Sequence, residues 1–402
     1  MKLRLNKTVV AAATSALLLM AVPAVGVASA SGASAKPTYV IGVEGPFTGA
    51  DSFLGSPVYG GVQLAINAAN AAGLPFTLKA QKFDDACSSS NSPAEAQKAV
   101  GTSNLVAVVG GVCSGATEAA LSYYKSASIA AVSPSATAVA LASAGGTFFR
   151  VTADDNVQGA ADAKYLVDTL KVKSLLVIGD DSFYGDGLAN VVAADAKTLG
   201  ATVTTQNIAN VNSGGGGSTS EYAPAATSIA TTNPGAIFYG GYAADFGLLL
   251  GALSSAGYTA TAHPIMSGDG SNETALITST SPASAANNVY LSQSAAGKVN
   301  YFTGSLASAY QKLTGQKASA AEYAAQAYDA ANAIIKALKL SSSAKTLKAI
   351  RAGIVANLHK VSFQGVTGPI SFAATGNLKN DSGAVAVSQV QNGTITSLTT
   401  VN

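Results

Sequence analysis

Two hydroxyl-rich turns stand close together in this sequence, one at Cys113-Ser114 and one at Ser133-Pro134-Ser135-Ala136-Thr137, and each directly follows a short apolar run. The first run, 105–109, ends in Gly110-Gly111, so Cys113 and Ser114 fall where a buried strand turns into a helix. Amides that open a helix have no partner inside it. Ser114, at the expected N-cap with Glu118 in the first turn, adds a hydroxyl to them, and the junction becomes a cradle for an anion. The second run, 129–132, ends the same way. Open parallel sheets bind ligands in the crevice beyond adjacent strand ends, and these two turns would share one. Both also fit ordinary capped helix starts.

The segments that must carry these turns alternate between strand and helix. Strands are expected at 39–43 and 76–83, a Gly- and Pro-punctuated loop over 44–55, and a helix over 59–72 stopped by Gly73. Ser92-Pro93-Ala94-Glu95 reads as a capping box with Pro at the first helical position. The alternation runs on to Phe148-Phe149-Arg150 and implies a parallel sheet covered by helices on both faces. It then restarts: helices over 158–170, 187–199 and 244–256, and strands at 174–178, 202–205, 236–239 and 264–267. A four-glycine run from Gly214 makes 212–220 a flexible surface loop, with no Lys-Ser or Lys-Thr pair to make it a phosphate loop. From Lys298 onward helices are expected over 299–313, 318–340 and 344–357, followed by short strands at 370–372, 385–390 and 394–398, the last two joined by an Asn392-Gly393 hairpin turn. Periodicity leaves open whether these late helices form a third domain or return to the first.

The 402 residues suit two domains, with 48% hydrophobic and only 11% charged residues to build them. Residues 1–30 read as a secretory leader: a basic start, an apolar centre over 9–22 too short to span a membrane, and small residues at Ala28-Ser29-Ala30. Ala33-Ser34-Ala35 is a second possible cut. Without Lys2, Arg4 and Lys7 the net charge falls from +2 to −1, which gives no reason to expect nucleic acid as a partner. No cysteine lies near the cut to carry a lipid anchor. Cys87 and Cys113 are the only cysteines, so in an exported chain a disulfide is the expectation and two free thiols the alternative. No metal or cofactor is expected, since His263 and His359 lack ligand spacing.

KFDDAC at 82–87, GGVCSGAT at 110–117 and SPSAT at 133–137, then RVTADDNVQG at 150–159, YGDGLA at 184–189, FYGGY at 238–242 and VTGPISF at 366–372, together resemble the periplasmic leucine/isoleucine/valine-binding proteins that serve ABC importers. The resemblance runs from about Tyr39 to the C-terminus. It implies an α/β chain of two Rossmann-like lobes, the type I periplasmic binding protein fold, joined by three crossovers near Asp154, Gln293 and Gly383. Lobe 1 would take 37–154 and 294–383, lobe 2 155–293 and 384–402, with the ligand in the cleft between them. It supports the Cys87–Cys113 pairing, an ABC permease as partner, a monomer, and a periplasmic location.

Carried onto this sequence, the resemblance has Ser114 and the Thr137 amide hold the ligand α-carboxylate, while the Ser135 carbonyl, the Thr137 hydroxyl and Asp269 hold the α-ammonium. The division suits the donors and acceptors concerned. Tyr184 and Tyr242 would close over the ligand, and Asp155 would orient the crossing or a water. Two positions depart from the family's pattern: Asp269 stands where a Glu is common, and Leu54 stands where an aromatic residue lines the side-chain pocket, so a bulkier side chain would fit. Asp84-Asp85 is expected to be a solvated strand end, with core aromatics the competing reading for the tyrosines and a plain turn residue for Asp269. The favoured reading is capture of a neutral branched-chain, aliphatic or aromatic amino acid. The alternatives are a binder of an amide, urea or other small polar solute, and a sensory ligand-binding protein of the same fold. A hydrolase using Ser114 or Ser135 is disfavoured by the missing G-x-S-x-G elbow.

Overall fold

The short apolar runs become the centres of two sheets. In the computed structural model, which describes residues 36–211, 217–294, 302–379 and 383–402, the chain opens with β1 (Thr38–Gly45), α1 (Ser52–Ala71), β2 (Thr77–Asp84), α2 (Ser92–Gly101), β3 (Leu105–Val109), α3 (Ser114–Ser126), β4 (Ala130–Ser133) and β5 (Phe148–Arg150). These five strands form one all-parallel sheet in the order β2-β1-β3-β4-β5. Every residue of β3 and β4 is buried, as helices on both faces demand.

The second lobe follows: α4 (Asp155–Lys164), β6 (Ser174–Gly179), α5 (Phe183–Thr198), β7 (Thr202–Asn207), α6 (Ala223–Thr232), β8 (Ala236–Gly240), α7 (Ala243–Ser255), β9 (Ile265–Ser267), α8 (Thr274–Ser279) and β10 (Tyr290–Ser294). The chain then returns to the first lobe with α9 (Gly304–Thr314), α10 (Ala324–Ser341), α11 (Leu347–Leu358) and the two-stranded pair β11 (Ser362–Gln364) and β12 (Pro369–Ser371). It ends back on the second with the hairpin β13 (Val385–Gln391) and β14 (Thr394–Val401). The second sheet runs β14-β13-β10-β9-β8-β6-β7. Asn392 and Gly393 take φ of 50° and 74°, the left-handed pair an Asn-Gly hairpin turn requires. The late helices pack on the first sheet: α10 lies along α1 and against β3 and β4, and α11 packs on α10 and β3. Residues 37–402 form one unit in which the chain passes between the sheets three times. The leader expected over 1–30 lies outside the described residues, as do 212–216 of the expected glycine loop and 299–301 of the expected helix start.

Several local expectations are corrected. The loop drawn over 44–55 ends early, because α1 starts at Ser52, and Pro57 lies inside the helix past its free first-turn amides, where it removes the N–H that would bond to the Phe53 carbonyl. A Cβ on Gly61 would lie 2.0 Å from the Ala324 carbonyl oxygen, so only glycine lets α1 approach the start of α10 this closely. The capping box at Ser92 does not form. Asn91 occupies the cap position, and the Ser92 hydroxyl is committed to Glu44 Oε1 (3.0 Å) and the Ala116 carbonyl (2.7 Å). At α3 the cap residue is Cys113, with Ser114 one position inside and Glu118 beyond the first turn. The helix expected over 318–340 is broken: a 3-10 turn at Ala318–Ala320 leads into Tyr323 at φ 56°, and α10 begins after it. The solvated reading of Asp85 also fails. It is fully buried and accepts the Cys87 amide at 2.8 Å, while Asp84 ties down the β1–α1 loop through Phe47 N and Thr48.

Cys87 and Cys113 are disulfide-bonded, fastening the segment after β2 to the start of α3. Closing a loop of this size in the unfolded chain contributes about 3.5 kcal/mol on the chain-entropy model.

Candidate functional site

The two hydroxyl-rich turns do meet, and their side chains stitch them together. Ser133 Oγ donates to the Gly111 carbonyl (2.7 Å) and Ser135 Oγ to the Val112 carbonyl (2.9 Å), while Ser114 Oγ accepts the Ala138 amide (3.2 Å). Ser133 Oγ also accepts the Ser135 and Ala136 amides, folding the second turn back on its own strand. Gly110, at φ 139°, makes the first turn possible, since a Cβ there would strike the Glu44 carbonyl oxygen at 2.4 Å. Arg150, fully buried at the end of β5, holds the second turn from behind. Its Nη1 donates to the Ala136 and Ala138 carbonyls at 3.2 and 3.0 Å, and its Nε to Asn377 Oδ1 at 2.9 Å. Both turns are therefore preformed.

Opposite them, Asp269 follows β9 in a 3-10 turn and is 3% exposed. Tyr184, in the first turn of α5, donates its hydroxyl to Oδ1 at 2.6 Å, and Tyr323 donates to Oδ2 at 2.7 Å. Tyr184 comes from the second lobe and Tyr323 from the segment ahead of α10 in the first, so this one carboxylate is gripped from both. The Asp269 backbone amide and the Gln158 side chain also act on this carboxylate. Burial holds the Asp269 carboxyl above its usual range, and the tyrosine hydroxyls work against that shift. The Tyr242 ring lies 5.1 Å from that of Tyr184.

Leu54, Val112, Ser114, Ser135, Tyr184, Tyr242, Asp269, Gly270 and Tyr323 enclose a cavity of about 20 Å³ at the lobe interface. Leu54 and Val112 supply its apolar wall. Six of the residues singled out in the sequence thus converge. Thr137 and Asp155 do not line this cavity. They lie together beside it: the Asp155 amide donates to the Thr137 carbonyl at 3.0 Å, and the Thr137 hydroxyl faces the Asp155 carboxyl without a bond of good geometry. Asp155 is fully buried, and its carboxyl is pushed up to about 8 by burial first and then by the neighbouring Asp269 charge. Asp162, equally buried, is raised for the same first reason and accepts from Ser292.

Tyr323 is the residue sequence reasoning missed. Nothing in its alanine-rich surroundings breaks a helix, so its left-handed backbone has no sequence signal. Such a conformation costs a tyrosine about 1–3 kcal/mol, which its bond to Asp269 helps offset. Each histidine touches an aromatic ring, the half-buried His263 stacked on Tyr258 and the exposed His359 tilted against Phe149.

A family model described as periplasmic binding protein matches residues 38–394. Among curated proteins, the chain is 37% identical over 182 residues to an amino acid binding protein of Pseudomonas aeruginosa, covering 44% of this chain and 49% of that protein. It is 30% identical over 234 residues to the leucine-, isoleucine-, valine-, threonine- and alanine-binding protein of the same organism, covering 58% of this chain and 61% of that one. The matches thus span about half to three fifths of these relatives. Among solved structures, a leucine binding protein LivK of Thermotoga maritima superposes with a TM-score of 0.75 at 22% identity, covering 90% of this chain and 99% of that one. The branched-chain amino acid transporter substrate binding protein LivJ of Streptococcus pneumoniae, in complex with isoleucine, gives 0.74 at 25% identity over the same shares.

Proposed function

The chain belongs to the periplasmic binding protein family, and from that premise we propose that it is the solute-binding component of an ABC importer, capturing a neutral branched-chain, aliphatic or aromatic amino acid between its lobes and delivering it to a membrane permease. The observation that carries this reading is Asp269, a buried carboxylate bound by one tyrosine from each lobe and sharing a cavity wall with the Ser114 hydroxyl at the start of α3. In this reading the Asp269 carboxylate takes the α-ammonium with the Ser135 carbonyl and Thr137 hydroxyl. Ser114 and the Thr137 amide take the α-carboxylate, in keeping with the positive field of a helix start. Leu54, Val112 and the rings of Tyr184 and Tyr242 receive the side chain, and Asp155 tunes the charge of Asp269 from behind.

Small-molecule pockets usually measure about 300–1,000 Å³, so a cavity of about 20 Å³ admits an amino acid only if the lobes part. Lobe 1 comprises 37–154 and 294–383, lobe 2 155–293 and 384–402, and the three connections between them form the hinge. A ligand that touches both lobes favours the closed arrangement by its differential contacts. The protein works as an exported monomer in the periplasm, its leader removed and no lipid attached, and it returns its ligand chemically unchanged. The names of the amino-acid-binding relatives support the ligand class.

A thermal-shift screen of the chain lacking its leader, against the twenty amino acids, urea, short amides and γ-aminobutyrate, tests the reading. A ligand at a hundredfold excess over Kd stabilises by about 2.7 kcal/mol, a shift of a few degrees. The expected result is a shift with leucine-like or aromatic amino acids that Asp269→Ala removes. Shifts with amides or urea alone would refute the α-amino-acid handle.

A further inference from the structure

A second cavity, of about 530 Å³, opens between the lobes beside the first, and Tyr242 lines both. Its walls carry three carboxyls, Asp51 from the first lobe and Asp180 and Asp181 from the second, with Asn91 and Asn210 among the other polar groups. No Lys, Arg or His stands among the described residues that line it.

Two of these carboxyls each keep one buried oxygen without a hydrogen-bond partner. Asp51 holds the N-cap position of α1, where an aspartate ordinarily accepts an amide of the first turn, yet it makes no capping bond. It is 7% exposed, and its Oδ1 has no hydrogen-bond partner. Asp180, fully buried just past β6, accepts the Ser182 amide at 3.0 Å through Oδ1, while Oδ2 has no partner. Asp245 adds a third negative neighbour to this pair. Buried carboxylates facing one another across two lobes must either hold a proton or have a cation between them. Among the described residues no three His, Cys, Asp or Glu side chains converge as a metal ion would require, and the space exceeds that of a bare ion. An organic cation fits both facts.

We propose that this cavity receives the ammonium or guanidinium end of a long amino-acid side chain, so that the ligand range extends beyond neutral amino acids to those with a distal positive charge. The inference rests on the amino-acid reading of the neighbouring site. There the α-groups anchor the ligand, and its side chain passes the Tyr242 ring, whose face adds a cation–π contact, to lie between Asp51 and Asp180. A charge that touches one carboxylate on each lobe also favours closure.

Calorimetric titration of the chain lacking its leader with two matched pairs, lysine against norleucine and arginine against citrulline, with leucine as reference, decides it. The expected result is at least tenfold tighter binding of one charged member than of its uncharged counterpart. Asp51→Asn and Asp180→Asn should bring that ratio close to one, with leucine and norleucine held within about twofold, which also shows the variants folded. Leucine or norleucine binding while lysine and arginine bind no better, or a ratio that survives both variants, overturns the proposal and leaves the amino-acid site standing. If none of the five binds, the extension is overturned, and if phenylalanine and tyrosine also fail to bind, the amino-acid site itself is refuted. Should a variant fail to fold, the arginine-to-citrulline ratio of the unaltered protein still decides.

Discussion

Replacing Asp155 by Asn removes one titration from the centre of the molecule with almost no change of shape, and the consequence can be worked out with its sign. In the fold this carboxyl is pushed from 3.8 to about 8 by burial and by Asp269. Folding therefore favours its neutral form. Below pH 4 the group is neutral folded or unfolded and contributes no penalty. As pH rises toward 8 the unfolded chain ionises freely while the folded one does not, so stability falls, and above the folded value the loss levels off. One pKa unit corresponds to about 1.4 kcal/mol, so the penalty grows by roughly 3 kcal/mol between pH 5 and pH 7. Glu44 and Glu273, each raised to about 8, and Asp51 and Asp85, each raised to about 7, act in the same direction. The absolute stability of both proteins therefore declines with pH, and only their difference isolates Asp155. Urea unfolding of the unaltered protein and of Asp155→Asn at pH 5, 7 and 9 should show the variant gaining about 3 kcal/mol relative to its parent from pH 5 to 7 and little more than another 1 kcal/mol by pH 9. Any cost of burying the amide is a constant offset and leaves this slope intact. Parallel curves across the three pH values would refute the assignment of a neutral Asp155.

Tyr323→Phe should leave Asp269 Oδ2 without its donor and weaken amino-acid binding by about 1–2 kcal/mol, five- to thirtyfold by calorimetry, whereas an unchanged Kd would mean that Tyr323 is packing alone. Reduction, or Cys87→Ser with Cys113→Ser, should cost about 3.5 kcal/mol in denaturant unfolding. Arg150→Met should cost about 1–3 kcal/mol by leaving the buried Ala136 carbonyl without its donor, and because that carbonyl precedes Thr137, binding should weaken as well. Gly61→Ala, by driving α1 away from Ala324, should lower stability by about 1–3 kcal/mol in thermal unfolding.

Regular elements were legible wherever one physical signal ruled them. The runs 105–109 and 129–132 became β3 and β4 because an apolar stretch too short for a helix can only be a buried strand. Asn392-Gly393 became a hairpin because few other residue pairs accept left-handed backbone twice in succession. What escaped was set by tertiary partners. Ser92 left its cap role because Glu44 and the Ala116 carbonyl compete for its hydroxyl, and α1 began early because Asp84 holds the loop before it. At the site, the residues announced by turns between strand and helix, Ser114, Ser135, Tyr242 and Asp269, could be found by position in the chain. Tyr323 could not, since its backbone departs from a helix only where Asp269 offers a partner 54 residues away.

The three passages of the chain between the sheets bear on how any motion of the lobes can be followed. Two bodies on a single tether can twist, slide and bend independently. Three connections restrain such modes, and the proposed closure would then reduce to a single rotation. A motion with a single coordinate needs a single ruler: a pair of fluorophores, one near Lys36 ahead of β1 and one near Asn402 after β14, reads it from the two lobes without touching the cleft. In the proposed import role, the same constraint would fix the outward faces of both lobes in one relative orientation at each degree of opening, so the angle itself would be the message the permease reads.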